Sequence, residues 1–588
     1  MKSFINHLIQ KISYSLIHST PSLIRRAGGE SVLLSLILVA CSSPEVPATF
    51  VEGMGLPEIY PDYIGVTVPT NIAPLHFHID HDSTTTDFVT RFTAGSETWV
   101  LGGEDVRPGL KKWRQMTASA LAADSKINVE VFILQDNRWL RKRPFDITVS
   151  PDSIDPYISY RLISPSYVTY EDLTLNQRCL ETFDESLIYG NMINSDEKDG
   201  QCINCHHAQW YNPRRIQFHV RQHLGGTVIA YDGNIQKVNL KTDSTLSAGV
   251  YPTWHPTKPW IVYSTNNTGQ SFHTRDIQKI EVQDTKSNLI FYDLERNEVL
   301  PITRDTTDYD CFPFWSPDGR YIYYVSGHWD HLGEANPEFE LIKYYTQMQY
   351  NLYRMPFDEQ TRTFGPRELM YDAALRNRSV TLPRISPDGR WLMFTQGRFG
   401  IFHIWHNDAD LYMMDLTKAV PEPEPAVSHV IQHSHVSAQQ ENISDVALAL
   451  RADSVREELG RLIPLPEFIY PIREINSPEV ESWHCWSSNQ CWVVFSSRRV
   501  DGNFTRPFIA HFDGKGHFSK PFELPQDNPQ YHRQFLRSYN IPEFLSGPVS
   551  IRPQEFAKVI RQDAIPAKLR ISDTTIDGHT AASPQAPR

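Results

Sequence analysis

The chain has 588 residues, of which 40% are hydrophobic and 21% charged, with a formal net charge of −13. That length allows more than one domain with its own core, and the acidic balance excludes nucleic acid as a partner, because phosphate backbones are repelled. Aromatic residues at 12% and 41 prolines point to a mainly β chain of short strands and loops.

The first forty residues read as an export leader. Lys2, Lys11, Arg25 and Arg26 precede the apolar run SVLLSLILVA at 31–40. The run is too short to cross a bilayer as a helix and matches the apolar core of a secretory signal. Leu38-Val39-Ala40-Cys41 resembles a bacterial lipobox. The resemblance implies cleavage before Cys41 and lipidation of Cys41, so that acyl chains hold the protein at a membrane. The alternative is a buried apolar helix carrying an ordinary cysteine. Removal of 1–40 takes away four basic residues and one acidic one and leaves a net charge of −16. Ser42-Ser43 is not the acidic residue associated with inner-membrane retention, so the outer membrane of the cell envelope is the expected location. Residues 41–56 are the tether.

Residues 57–165 carry alternating runs, among them YIGVTV (63–68), LHFHID (75–80), FVTRFT (88–93) and NVEVFIL (128–134). Period-two alternation predicts half-buried strands, with a helical insertion over 107–123, and the expected fold is a β-sandwich-like domain. His76 and His78 share a strand face; metal ligation is one reading, and an exposed face is the preferred one.

Residues 166–226 read as a short helical segment, because Leu173, Leu180 and Leu187 recur every seven residues. The segment leads into Cys202-Ile203-Asn204-Cys205-His206. In an exported protein, C-x-x-C-H is the attachment pattern of haem c. Cys202 and Cys205 would form the two thioethers and His206 would ligate the iron. For the sixth ligand His219 ranks first, then His223 and Met192; two histidines would suit electron transfer. The other readings of this site are a redox disulfide, a zinc site and plain structural cysteines.

After residue 226 a unit repeats: YPTWHPTKPWIVYST (251–265), FPFWSPDGRYIYYVS (312–326), LPRISPDGRWLMFTQ (382–396) and WHCWSSNQCWVVFSS (483–497). Self-similarity of this kind predicts stacked sheets around an axis. The strand–SPDG–strand signature resembles the TolB-like β-propeller over 227–545, which implies six blades. Residues 420–475 read as an insertion, helical over 444–463, and 546–588 as a largely disordered tail. The lipobox, the CINCH segment, FHVRQHLGGT and the propeller together resemble a group of envelope lipoproteins whose activity is undefined.

His255, His273, His406 and His484 fall near blade turns, where turn capping is preferred over a binding role. His429, His433 and His435 lie in the insertion. Cys485 and Cys491 flank one turn and could pair. No nucleophile elbow or phosphate loop occurs, and no catalytic residue is assigned. The expected function is a membrane-anchored haem c protein in electron transfer or redox sensing, with redox or envelope proteins as partners. The alternative is a non-catalytic propeller scaffold or ligand-binding protein; a haem-dependent oxidoreductase is the weaker third reading.

Overall fold

Six mainly antiparallel sheets stand side by side, and the innermost strand of each neighbours the innermost strand of the next. The computed structural model describes residues 44–164, 172–195, 200–274, 278, 280–330, 337–423, 460 and 463–570. The leader, Cys41, the three insertion histidines, nearly all of the helix expected over 444–463 and the tail beyond 570 lie outside the described residues.

The inner strands are Ser538–Leu545, Gln201–Ala208, Val250–Trp254, Asp308–Trp315, Ser379–Ile385 and Glu481–Trp486, here blades 1 to 6. The first and last touch their neighbours as the others do, so the ring is closed. This is a β-propeller. Blade 1 closes it by joining two distant stretches: Ser538–Leu545 pairs with Tyr157–Ile163, followed by Thr174–Cys179 and Glu185–Gly190. The radial arrangement leaves only short, protected sheet edges, which limits edge-to-edge aggregation.

Three boundaries differ from those read in the sequence. The segment 166–226 is not helical: its described part is strands of blades 1 and 2. The leucine spacing misled because Leu187 is surface exposed, whereas Leu173 and Leu180 bracket a strand that returns through a Thr182–Asp184 turn. The propeller therefore begins at 157 rather than 227. The chain also stays folded past 545. The helix Pro553–Ile560 buries Phe556, Ala557 and Ile560 against blades 1 and 2, and Ile565–Pro566 and Lys568–Leu569 add parallel strands to the outer edges of blades 2 and 3. The expected insertion supplies an ordered strand as well, Ile469–Pro471, the outer strand of blade 5.

The N-terminal domain is a seven-stranded sheet centred on Lys126–Gln135, accompanied by the helix Leu110–Ala122 and a three-stranded sheet. Trp113, Met116 and Ala120 of that helix join a core that also contains Trp492, Val494 and Ile509 of blade 6. The domain and the propeller thus share one hydrophobic core. Among the described residues no helix is long and apolar enough to cross a membrane.

The first hairpin turns explain the repeat. Ser316 Oγ donates to Asp318 at 2.5 Å and accepts from the Tyr321 amide at 2.9 Å, while Gly319 supplies a φ of 70°. Ser386 accepts the Trp391 amide in the same way at 2.9 Å. In blade 6 Ser487 keeps this bond to Trp492, but Asn489 replaces the aspartate. That turn docks on the N-terminal domain instead, with the Ser488 hydroxyl donating to Asp155 at 2.6 Å. In blade 3 His255 Nδ1 accepts the amides of Thr257 and Lys258 at 3.3 and 3.1 Å, so this histidine caps its turn as expected.

Candidate ligand site in the propeller tunnel

All six inner strands carry the same irregularity. Cys205, Tyr251, Phe312, Leu382, Trp483 and Ile541 have φ between 47° and 55°, in the left-handed region, and the pairing register slips beside each. A non-glycine residue there is disfavoured, so six copies in one ring reflect a constraint of the architecture: each bulge re-aims the strand at the axis. The residue after the bulge is proline in blades 1, 3, 4 and 5 (Pro542, Pro252, Pro313, Pro383) and histidine in blades 2 and 6 (His206, His484). The next position carries Glu543, His207, Thr253, Phe314, Arg384 and Cys485 for blades 1 to 6, and these side chains form a ring around the tunnel.

Two cavities lie in this tunnel. The smaller, about 20 Å³, is lined by bulge residues including Cys205, Tyr251, Phe312 and Trp483, together with His206. The larger, about 50 Å³, is lined by the ring and by Trp210, Trp254, Trp315 and Trp486. Arg384 and Glu543 line both. Trp210 is 42% exposed and marks the open mouth on the turn side. From blade 3 the hairpin Trp260–Phe272 and Ile280–Asp293 reaches blade 5, where Glu281 pairs with His406 at 2.9 Å, both buried.

The ring's charges are only partly matched. His207 Nδ1 lies 3.0 Å from Glu543 Oε1. Burial opposes ionisation of Glu543, but the charge and hydrogen bond of His207 outweigh it and hold the carboxyl below its ordinary range. Glu543 Oε2 is buried without a hydrogen-bond partner. Burial pulls Arg384 below its ordinary value against the attraction of Glu543. The Arg384 guanidinium stands 4.9 Å from the Phe314 ring and donates Nη1 to the Pro383 carbonyl at 2.9 Å. No ion pair joins it to Glu543. In ring order Cys485 stands between the two charges.

The CxxCH residues have clear places in this frame. Cys205 is the bulge residue of blade 2 and is buried in the tunnel wall, whereas Cys202 packs against the core between blades 1 and 2. His206 is 3% exposed and held neutral by burial with a pKa of about 4. Its neutral imidazole would suit a metal. The rest of the arrangement does not fit a covalent haem as folded. The two thiols serve different walls, and cavities of about 20 and 50 Å³ are far below the roughly 300–1,000 Å³ of cofactor-sized pockets. Neither cavity is lined by a proposed sixth ligand. His219 is buried with Nδ1 3.1 Å from Thr227 Oγ1, and its pKa is pulled to about 3 by burial and Arg221. Met192 is 67% exposed, and the His223 amide bonds the Gly200 carbonyl.

Among the described residues no three His, Cys, Asp or Glu side chains gather as a metal site. His76 is bonded to the carbonyls of Asp527 and Pro108, and His78 to Asp105 at 2.8 Å. The cysteines beyond Cys41 are free thiols, and Cys485 and Cys491 are not joined. His207, Arg384 and Glu543 escaped the sequence reading. Aligning CHHA, YPTW, FPFW, LPRI, WHCW and IPEF at the bulge would have found them.

No family model matches the chain, and no curated protein matches it. Solved structures with similarity include a puromycin-hydrolysing peptidase of Mycobacterium tuberculosis, at 11% identity and TM-score 0.31, covering 69% of this chain and 52% of that one. A prolyl endopeptidase is similar at 10% identity and TM-score 0.28, covering 62% and 41%. A putative 6-phosphogluconolactonase from Bacteroides fragilis is similar at 9% identity and TM-score 0.26, covering 63% and 98%. The chain thus spans about half or less of the two peptidases. At these scores none carries an inference about activity.

Proposed function

We propose that this chain is a non-catalytic, ligand-binding propeller of the cell envelope, with its site at the turn-side mouth of the tunnel. One observation carries the reading: Arg384 and Glu543 face the same cavities, each within reach of the other's field, yet no ion pair closes between them. His207 answers Glu543 Oε1 but leaves Oε2 buried and unpaired; a buried acceptor without a donor is costly, and a ligand that answers Oε2 and Arg384 together relieves that cost. The aromatic rim gives such a ligand an apolar wall, as small-molecule sites commonly have. The hairpin turns support a TolB-like kinship, and the leader with Cys41 supports attachment to the outer membrane through lipid.

The test is a thermal-shift screen of small polar metabolites on the full chain and on Cys485→Phe, which fills the gap between the two charges. Stabilisation of the wild type that Cys485→Phe abolishes supports the reading. A screen in which no compound separates the two proteins refutes it. Anchoring is read separately: palmitate labelling of the expressed chain should disappear in Cys41→Ala.

A further inference from the structure

Resting on that reading, we infer that the tunnel ligand is a small zwitterion of the α-amino acid type, its carboxylate on Arg384, its ammonium on Glu543 and its side chain directed to the tryptophan-lined mouth.

Glu543 is 7% exposed, and its Oε2 is a buried acceptor with no donor. Arg384 spends one N–H on the Pro383 carbonyl, and Nε and Nη2 make no hydrogen bond. A site offering a free acceptor and a free planar donor pair across one gap is amphoteric. An anion alone would satisfy Arg384 but meet Glu543 Oε2, the carboxylate oxygen that His207 on Oε1 leaves without a donor. A cation alone would satisfy Glu543 and face Arg384. Either brings an uncompensated charge into a poorly solvated place, where like-charge contacts are penalised strongly. A zwitterion brings no net charge and answers both ends; carboxylate on guanidinium is also the strongest of these contacts, because two parallel bonds can form.

Size points the same way. Arg384 and Glu543 border both cavities, whose volumes of about 50 and 20 Å³ hold roughly five water-sized positions in all at about 10–15 Å³ each. That is the size of the backbone portion of an amino acid. Anything larger must project outward to the mouth, where Trp210 is exposed and the edges of the buried Trp254, Trp315 and Trp486 line the wall. Neutral His206 forms part of the inner wall.

The test is isothermal titration of the full chain at neutral pH with glycine, L-alanine, L-leucine, propionate and ethylamine. We expect the amino acids to bind and the two single-charge analogues to bind at least tenfold more weakly. Arg384→Gln and Glu543→Gln should each weaken L-alanine binding at least tenfold, with circular dichroism confirming the fold. Propionate or ethylamine binding as tightly as L-alanine overturns the zwitterion; if Cys485→Phe still abolishes that binding, the tunnel reading survives. No heat from any of the five likewise overturns the zwitterion, while a metabolite hit lost in Cys485→Phe would keep the tunnel. The wild-type panel decides the matter even if a variant fails to fold.

Discussion

Blade 2 and blade 4 place opposite chemistry on the same backbone. In blade 4 the bulge reads Phe312-Pro313-Phe314-Trp315, all apolar and stiff. In blade 2 it reads Cys205-His206-His207-Ala208, small and titratable. Yet φ at the bulge is 50° in one and 53° in the other, and the register slips at the same place. The geometry is therefore imposed by the closed ring and not by the residues that occupy it. It follows that blade 2's residues are free to be chosen for what they do in the tunnel, and that a string such as CINCH can arise on a blade's inner strand.

The largest break in this comparison comes from opening the ring. A chain ending at 537 lacks the inner strand of blade 1 and should lose cooperative thermal unfolding altogether, whereas one ending at 570 should melt as the full chain does. Calorimetry separates the two; a cooperative transition in the shorter chain would show that closure does not set the bulges. Next in size is the packing contrast. Trp315 is fully buried among His255, Phe357 and Phe364, and Trp315→Ala should cost about 3–5 kcal/mol. At the equivalent place in blade 2, at the end of the strand Gln201–Ala208, Ala208→Gly should cost only about 0.5–1 kcal/mol in urea unfolding.

A third effect is electrostatic. His206 has a folded pKa of about 4, below its ordinary 6.5, because burial disfavours its charge. Between those values the unfolded chain takes a proton that the folded chain refuses, so the group costs stability as pH falls from 6.5 towards 4. His206→Pro, which copies blade 4, should remove that loss, worth roughly 1–3 kcal/mol at the acid end, and change little at pH 7. Asp284 and Asp310, raised by burial to about 7, work in the other sense. They remain in both proteins, so the difference between the two pH profiles isolates His206. Unchanged acid sensitivity in the variant would contradict the burial assigned to this side chain.

The smallest expected effect is none. Made in a host that installs haem c, the protein should show no sharp α-band in a reduced-minus-oxidised spectrum, and Cys202 and Cys205 should titrate as free thiols after denaturation. A covalent band lost in Cys205→Ser would mean that blade 2 departs from its siblings when a cofactor is present.

Much of the propeller was legible because Ser-Pro-Asp-Gly between two apolar strands is a local instruction: a side-chain cap, a preset φ and a glycine. The hairpins at 312–326 and 382–396 could be read directly. Blades 1 and 2 could not, because their turns lack that grammar and blade 1 is assembled from strands at opposite ends of the described chain. The leucines at 173, 180 and 187 suggested a helix because periodicity alone does not reveal that a polar turn has reversed the chain between them. His255 as a turn cap was readable from its place; His207 was passed over because its role depends on Glu543, a residue from the far end of the sequence.

By itself the sequence determined the local matters, namely the strands, their turns, the acidic surface and the apolar leader, since propensity and spacing act over a few residues. Only the tertiary structure decided which side chains meet on the axis, because the direction of each bulge is set when six sheets close on one another. Arg384 and Glu543 become neighbours across Cys485 through that closure alone.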